Sequence, residues 1–311
     1  KALDFYGFNG YQSYYDHEKV ATGKNDPNQY LYSPFYRTAR TSLILKADFT
    51  GNIVKNKFYW EADYLFSYFK QGAIDRAKVN KGKDPNKMFP DDVETLYELY
   101  RKWGIISDAE DGGGINSAIR LGLMYDTRDV ENAPNKGIWL EGHTILAPKW
   151  LGTKNPYYRY SITMRQYIPL VMKKLTLAYR LSYQGTIGDK APFYVLPYYS
   201  IFGATYDRDG MGGYRTVRGV MRNRVQALDV GFYNAELRWR FVAFQLFKQN
   251  IAFSITAFSD GAIATRGYNM DFKGEEKYRA EYDAYMAQGS KEKLHATAGA
   301  GLRFIMNENF I

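Results

Sequence analysis

Apolar and polar residues alternate with period two along most of this chain, which predicts strands with one apolar face and one polar face. In "KLTLAYRLSYQG" (174–185), Leu175, Leu177, Tyr179, Leu181 and Tyr183 alternate with Thr176, Ala178, Arg180, Ser182 and Gln184. In "GFYNAELRWRF" (231–241), Tyr233, Ala235, Leu237, Trp239 and Phe241 alternate with Asn234, Glu236, Arg238 and Arg240. In "SAIRLGLMYDTRD" (117–129), Ile119, Leu121, Leu123 and Tyr125 alternate with Arg120, Gly122, Met124, Asp126 and Arg128. Such runs outlast the usual ~5–6 residues of a soluble strand and match the ~9–11 that cross a bilayer. The polar parity carries Arg, Glu, Asp and Gln beside Gly and Ala, as a wet barrel lumen requires. The prediction is therefore that Leu175, Leu177, Leu181 and Leu237 face lipid, while Arg120, Asp126, Arg128, Arg180, Glu236, Arg238 and Arg240 face a lumen.

Ten strands are expected, near 2–15, 36–50, 56–70, 115–128, 137–148, 157–168, 173–186, 225–242, 250–263 and 293–306. Long connections (16–35, 71–114, 187–224, 264–292) largely alternate with short ones (51–55, 169–172, 243–249 and around Asn307), and 129–136 and 149–156 are of medium length. Long loops on one side and tight turns on the other are the pattern of an outer-membrane barrel. Within the loop 71–114, "DDVETLYELYRKWGII" (91–106) spaces Val93, Leu96, Leu99, Tyr100 and Trp103 helically, which predicts a short amphipathic helix on the outer side. Both ends read as strands in progress, and a barrel cannot leave open edges in lipid, so further strands are expected on both sides.

Composition fits this class. Tyr, Phe and Trp make up 17% of the 311 residues, expected where rings sit at a membrane–water boundary. Mean hydropathy is −0.47 and no run of 18 apolar residues occurs, so no helix is expected to span. The net charge of +9 is spread along the chain without a dense basic arm, which suits solvated loops and a basic inner face better than nucleic-acid binding. The chain has no Cys, which excludes disulfides and thiolate chemistry. His17, His143 and His295 have no metal-ligand spacing. "DRDG" (207–210) lacks the distant Glu of a calcium loop, and Asp108, Glu110 and Asp111 read as a solvated loop. No catalytic motif, cofactor site or metal site is expected.

One stretch breaks the alternation. "MGGYRTVRGVMRNR" (211–224) holds three glycines and four arginines, too polar for a core strand and too glycine-rich for a helix. Its "TVRGV" (216–220) resembles the V-R-G-F/Y signature on the sixth outer loop of the bacterial surface antigen superfamily, the outer-membrane assembly-factor barrels and their two-partner-secretion relatives. Four more stretches resemble that family in the same order. They are "YDTRDVENAPNKGIW" (125–139), "NAELRW" (234–239), "FSDGA" (258–262) and "AGAGLRF" (298–304). The first hundred residues, with "YGFNGYQSYY" (6–15), resemble Bacteroidetes-type members more weakly. The family's residue after R-G is usually aromatic, and Val220 stands there.

The resemblance implies an all-β transmembrane antiparallel barrel of sixteen strands, with the ten here as its fifth to fourteenth. It implies that residues 187–224 fold back into the lumen, with Gly219 turning the tip and Arg218 bridging to Glu236 and Asp260. The implied function is insertion, assembly or translocation of other outer-membrane or secreted proteins in a Gram-negative outer membrane, without enzymatic activity. The alternative is a barrel anchoring a lipase-like or phosphoesterase-like domain encoded outside this stretch; a passive porin fits less well, because a loop held in the lumen would plug it. Implied partners are outer-membrane lipid and lipopolysaccharide, and other assembly subunits or substrate barrels.

Overall fold

The structure is a computed structural model and describes residues 2–16, 34–85, 88–172, 174–202 and 210–307. His17, most of the 16–35 connection, residues 207–209 and the chain after Asn307 lie outside the described residues. Ten antiparallel strands form one sheet in chain order. They are β1 (Ala2–Asp4), β2 (Arg37–Val54), β3 (Phe58–Gly72), β4 (Gly113–Asp126), β5 (Gly137–Ala147), β6 (Tyr157–Val171), β7 (Leu175–Ile187), β8 (Asp229–Leu246), β9 (Gln249–Arg266) and β10 (His295–Met306). From β2 onward they run 11 to 18 residues, long enough to cross a bilayer at a tilt.

Because every pairing is antiparallel, connections alternate between the two ends of the sheet. The tight turns at 55–57, 172–174 and 247–248 share one end with the medium connection 127–136. The long connections 5–36, 73–112, 188–228 and 267–294 share the other end with 148–156. One face of the sheet is a continuous apolar band on which Leu43, Leu45, Tyr64, Leu121, Leu123, Leu181, Leu237, Trp239 and Phe253 are exposed. An exposed band of that extent is what lipid solvates and water does not. The opposite parity is buried and polar: Arg40, Glu61, Asp63, Arg120, Glu141, Arg159, Gln184, Glu236 and Asp260 point inward. A register shift between Arg240 and Val242 inverts the parity near the tight-turn end of β8, so Val242, Phe244 and Leu246 continue the outer face after Phe241.

Four expectations are corrected. The first strand is three residues, not fourteen; Gly7, Asn9 and Gly10 all have positive φ, which no strand carries, and Gly10–Gln12 form a 3-10 turn. The helix predicted across 91–106 is α2 (Leu96–Lys102), preceded by α1 (Arg76–Asn80), which periodicity did not reveal. Thr95 starts α2: its hydroxyl accepts from Glu98 N–H while the Glu98 carboxylate accepts from Thr95 N–H, a reciprocal cap. A third helix, α3 (Arg279–Met286), also went unread.

The aromatics are the third correction. Some lie on the outer band, but many build a separate core over the loop end of the barrel. There Phe5 and Phe8 meet Tyr97, Tyr100 and Trp103 of the α2 region, Phe193 and Tyr194 of the 188–228 connection, and Tyr268, Tyr282 and Tyr285 of the last long loop. The rings pack edge-on or tilted, as in Phe5–Tyr100 (5.6 Å, 84°) and Trp103–Tyr285 (5.1 Å, 40°). The fourth is Glu110, expected in a solvated loop. It accepts from Phe193 N–H (3.0 Å) and Tyr268 O–H (2.8 Å) within this cap, and burial pushes its carboxyl above the ordinary value.

Candidate functional site

Inside the barrel, the 188–228 connection descends from the cap, turns at Gly219 and returns. Its tip is braced by itself: Met211 bridges Val225, Gly213 N–H donates to Val220 C=O (2.8 Å), and the Thr216 hydroxyl accepts from Gly212 N–H (3.0 Å). Val220 packs beside the small buried cluster of Tyr199, Met211, Val217, Val225, Val230 and Phe232. Gly219 has φ +78°, and a Cβ there would meet Thr297 Cγ2 at 2.9 Å, so both conformation and the nearness of β10 require glycine.

Two rows of residues across the sheet hold this tip. In the first, register places Arg165 of β6, Arg180 of β7, Asn234 of β8, Asp260 of β9 and Thr297 of β10 side by side. Arg180 donates to the carbonyls of Arg215 (2.7 Å) and Thr216 (3.2 Å) and to Asn234 Oδ1 (2.7 Å). Asn234 donates onward to Thr216 C=O (2.7 Å), and the Thr297 hydroxyl donates to Arg218 C=O (2.5 Å). Asp260, fully buried, receives the Arg218 backbone N–H (2.9 Å) and a two-point contact from its guanidinium, Nε to Oδ2 at 2.7 Å and Nη2 to Oδ1 at 2.8 Å. The second row, Glu236 and Phe258, completes the grip. Arg218 Nη1 lies 2.7 Å from Glu236 Oε1, and the guanidinium carbon sits 3.8 Å from the Phe258 ring centroid. A planar fork that meets two carboxylates and a ring at once is a task for Arg and not Lys. The contact with Asp260 holds the Arg218 proton more firmly than in a free arginine.

Glu236 also accepts from Arg238 (2.7 Å) and Arg303 (2.9 Å). Arg240 lies lower on the same inner parity. Arg120 stands on β4, and Asp126 and Arg128 pair with each other (2.9 Å) beside Trp139 at the tight-turn end. Arg120 bonds Glu61 and Asp63, and Lys46 lies 3.1 Å from both Asp48 and Asp63. The one acidic group spaced to receive a metal among the described residues, Asp48, Glu61 and Asp63, is thus already met by two cations.

The descending arm has its own anchors, which sequence reading missed. Arg40 donates to Tyr194 C=O (2.8 Å), Arg159 to the carbonyls of Val195 (3.2 Å) and Tyr198 (3.3 Å), and Arg120 to Ile201 C=O (2.7 Å). Gln184 clasps both ends of the Tyr198–Ser200 turn, donating to Tyr198 C=O and accepting from Ser200 N–H. On the ascending arm, buried Arg224 donates to the carbonyls of Gly10 (2.6 Å) and Ser13 (2.9 Å), tying the lumen loop to the amino-terminal segment. The one available signal was inward parity, which marks Arg40, Arg159 and Gln184 as polar lumen residues and does not tell which carbonyl each will reach.

The Omp85 superfamily domain matches residues 9–307. No curated protein matches the chain. Among solved structures, a BamA from Haemophilus ducreyi lacking POTRA domains 1–3 is similar in fold, with a TM-score of 0.53 and 15% identity over 88% of this chain. The chain spans about half of that structure, 49% of its length.

Proposed function

This chain belongs to the Omp85 superfamily and lies in the bacterial outer membrane, and from that premise we propose that its barrel serves the insertion, assembly or translocation of other outer-membrane or secreted proteins, with the Arg218 tip as the element that keeps the lumen loop in working position. The observation that supports this reading is the convergence of Asp260, Glu236, Phe258 and Thr297 on one arginine and its backbone. A passive pore has no need to hold a loop across its own lumen with contacts from three successive strands. A barrel that must stay sealed while another chain is handled beside it does. Substrate barrel proteins and further assembly subunits are the partners this reading calls for.

The test uses the whole protein reconstituted in liposomes, with a urea-denatured outer-membrane barrel as substrate. Folding of the substrate to a protease-resistant, heat-modifiable form should be faster than in empty liposomes. Arg218→Ala should lower that acceleration severalfold and Arg218→Lys should restore part of it. No acceleration by the wild-type protein, together with no transport of a secreted substrate, would remove the proposal.

A further inference from the structure

A cavity of about 50 Å³ lies inside the barrel, where the descending arm of the lumen loop crosses the β3–β6 wall. Register sets four inward residues in one row there: Asp63 of β3, Arg120 of β4, Ile145 of β5 and Arg159 of β6. The two ends of that row are unlike. At one end Arg120 bonds Asp63 and Glu61, and Lys46 lies 3.1 Å from Asp63. At the other stands Arg159, 2% exposed. Its Nη1 donates to the carbonyls of Val195 (3.2 Å) and Tyr198 (3.3 Å), while Nε and Nη2 meet no protein acceptor. Asp229, the carboxylate whose charge reaches Arg159, is taken by Arg266 (2.8 Å) and by the Thr186 N–H (2.8 Å). Arg159 is thus a buried cation with two donors to spare and, among the described residues, no carboxylate at ion-pair distance.

We propose that this cavity binds a small monovalent anion of the halide class, held by Arg159. A buried charge is stable when it is paired, and water, a neutral ligand, leaves the charge of the guanidinium uncompensated. Ser67 and Ser200 line the same cavity. Ser200 is held through its main chain, N–H to Gln184 (3.0 Å) and C=O from Ser161 (3.4 Å), so its hydroxyl is available as a further donor. At ~10–15 Å³ for each water, the volume admits only a few water-sized bodies, so a single-atom anion fits with a water beside it. Asp63 Oδ1, also without a protein partner, calls for a donor that such a water supplies. Leu65, Phe69, Ile145 and Val195 make part of the lining apolar. A carboxylate or phosphate would press oxygens against those side chains with no donors to meet them. An anion here joins Arg159 on β6 to Ser200 on the loop, so occupancy adds a tie that is separate from the Arg218 contacts.

Thermal unfolding of the full chain in detergent, read by heat-modifiable migration, tests the site in chloride, bromide and gluconate salts at equal ionic strength. Chloride and bromide should raise the midpoint saturably, by about 3 °C over gluconate, which is too large for the cavity. Arg159→Gln removes the charge and should abolish that rise; Ser200→Ala should at least halve it, and Arg279→Gln on α3 should leave it unchanged. Ser200 lies on the loop and outside the strands, so its variant keeps the test open if Arg159→Gln does not fold. Anomalous scattering from crystals grown in bromide should place a peak within hydrogen-bonding reach of Arg159 Nη2. Absence of a saturable rise over gluconate, a rise that Arg159→Gln keeps or that Ser200→Ala leaves more than half intact, or ordered water alone at that position overturns the proposal.

Discussion

The cap and the lumen loop are both irregular segments buried against the same barrel, yet they are held by different physics. The cap brings its own core. Phe5, Phe8, Tyr97, Tyr100, Trp103 and Phe193 exclude water among themselves, and hydrogen bonds such as Tyr97 to Asp111 (2.6 Å) satisfy the few polar ends. The loop meets a wall that is polar because the lumen is wet, so apolar packing can secure only its small upper cluster. Below that cluster each hold is directional, from arginines, asparagine and threonine to backbone carbonyls, and from Arg218 to two acids. Apolar contact holds a segment broadly and tolerates small shifts. Directional bonds fix one register and one orientation, which suits an element whose position matters.

Breaking the strongest tie should separate the two regions. Asp260→Ala removes the acceptor of the Arg218 N–H and of its Nε and Nη2 and leaves the half-buried guanidinium with Glu236; the expected cost is about 3 kcal/mol, the low end for breaking a buried pair. Limited proteolysis should then cut within 211–224 while the cap stays resistant. Cutting in the cap first would show that the tip carries less than its contacts suggest. Trp103→Ala attacks the other region at about 3–4 kcal/mol, the cost of emptying a large buried aromatic site. It should free the 73–112 connection and leave Arg218 protected, as amide exchange at Gly219 and Val220 would report.

Two smaller changes sharpen the contrast within the cap. Thr95→Ala removes the reciprocal cap of α2 and should cost about 1 kcal/mol, seen as earlier melting of the Trp103 fluorescence signal. Glu110 titrates in the opposite sense to a salt-bridged acid. Burial raises its carboxyl in the folded cap, so the folded form holds the extra proton. Cap stability should therefore fall as pH rises from the ordinary carboxyl value through the raised one, and level off above it. Glu110→Gln should flatten that slope; a slope that persists in the variant would assign it to another group.

Period two is a property of the strand backbone itself, so the sequence by itself determined which side chains face lipid and which face the lumen. It determined the sorting of long and short connections for the same reason, since antiparallel order sends alternate turns to opposite ends. The tip contact was implied by the family resemblance alone, and strand parity added only that Glu236 and Asp260 lie on the inner face of two neighbouring strands, where Arg218 reaches them. What only the tertiary structure decided is which distant partners complete each element. Residues 6–15 alternate well enough to read as a strand, but their aromatics find a better burial against α2 and the last long loop, and positive φ at Gly7, Asn9 and Gly10 lets the chain turn there. Arg40, Arg159 and Gln184 were readable as lumen residues, while their carbonyl partners lie 14 to 154 positions away on a segment with no periodicity. Aromatic residues carry the same pattern whether lipid or another ring receives them, and only the folded chain distinguishes the two.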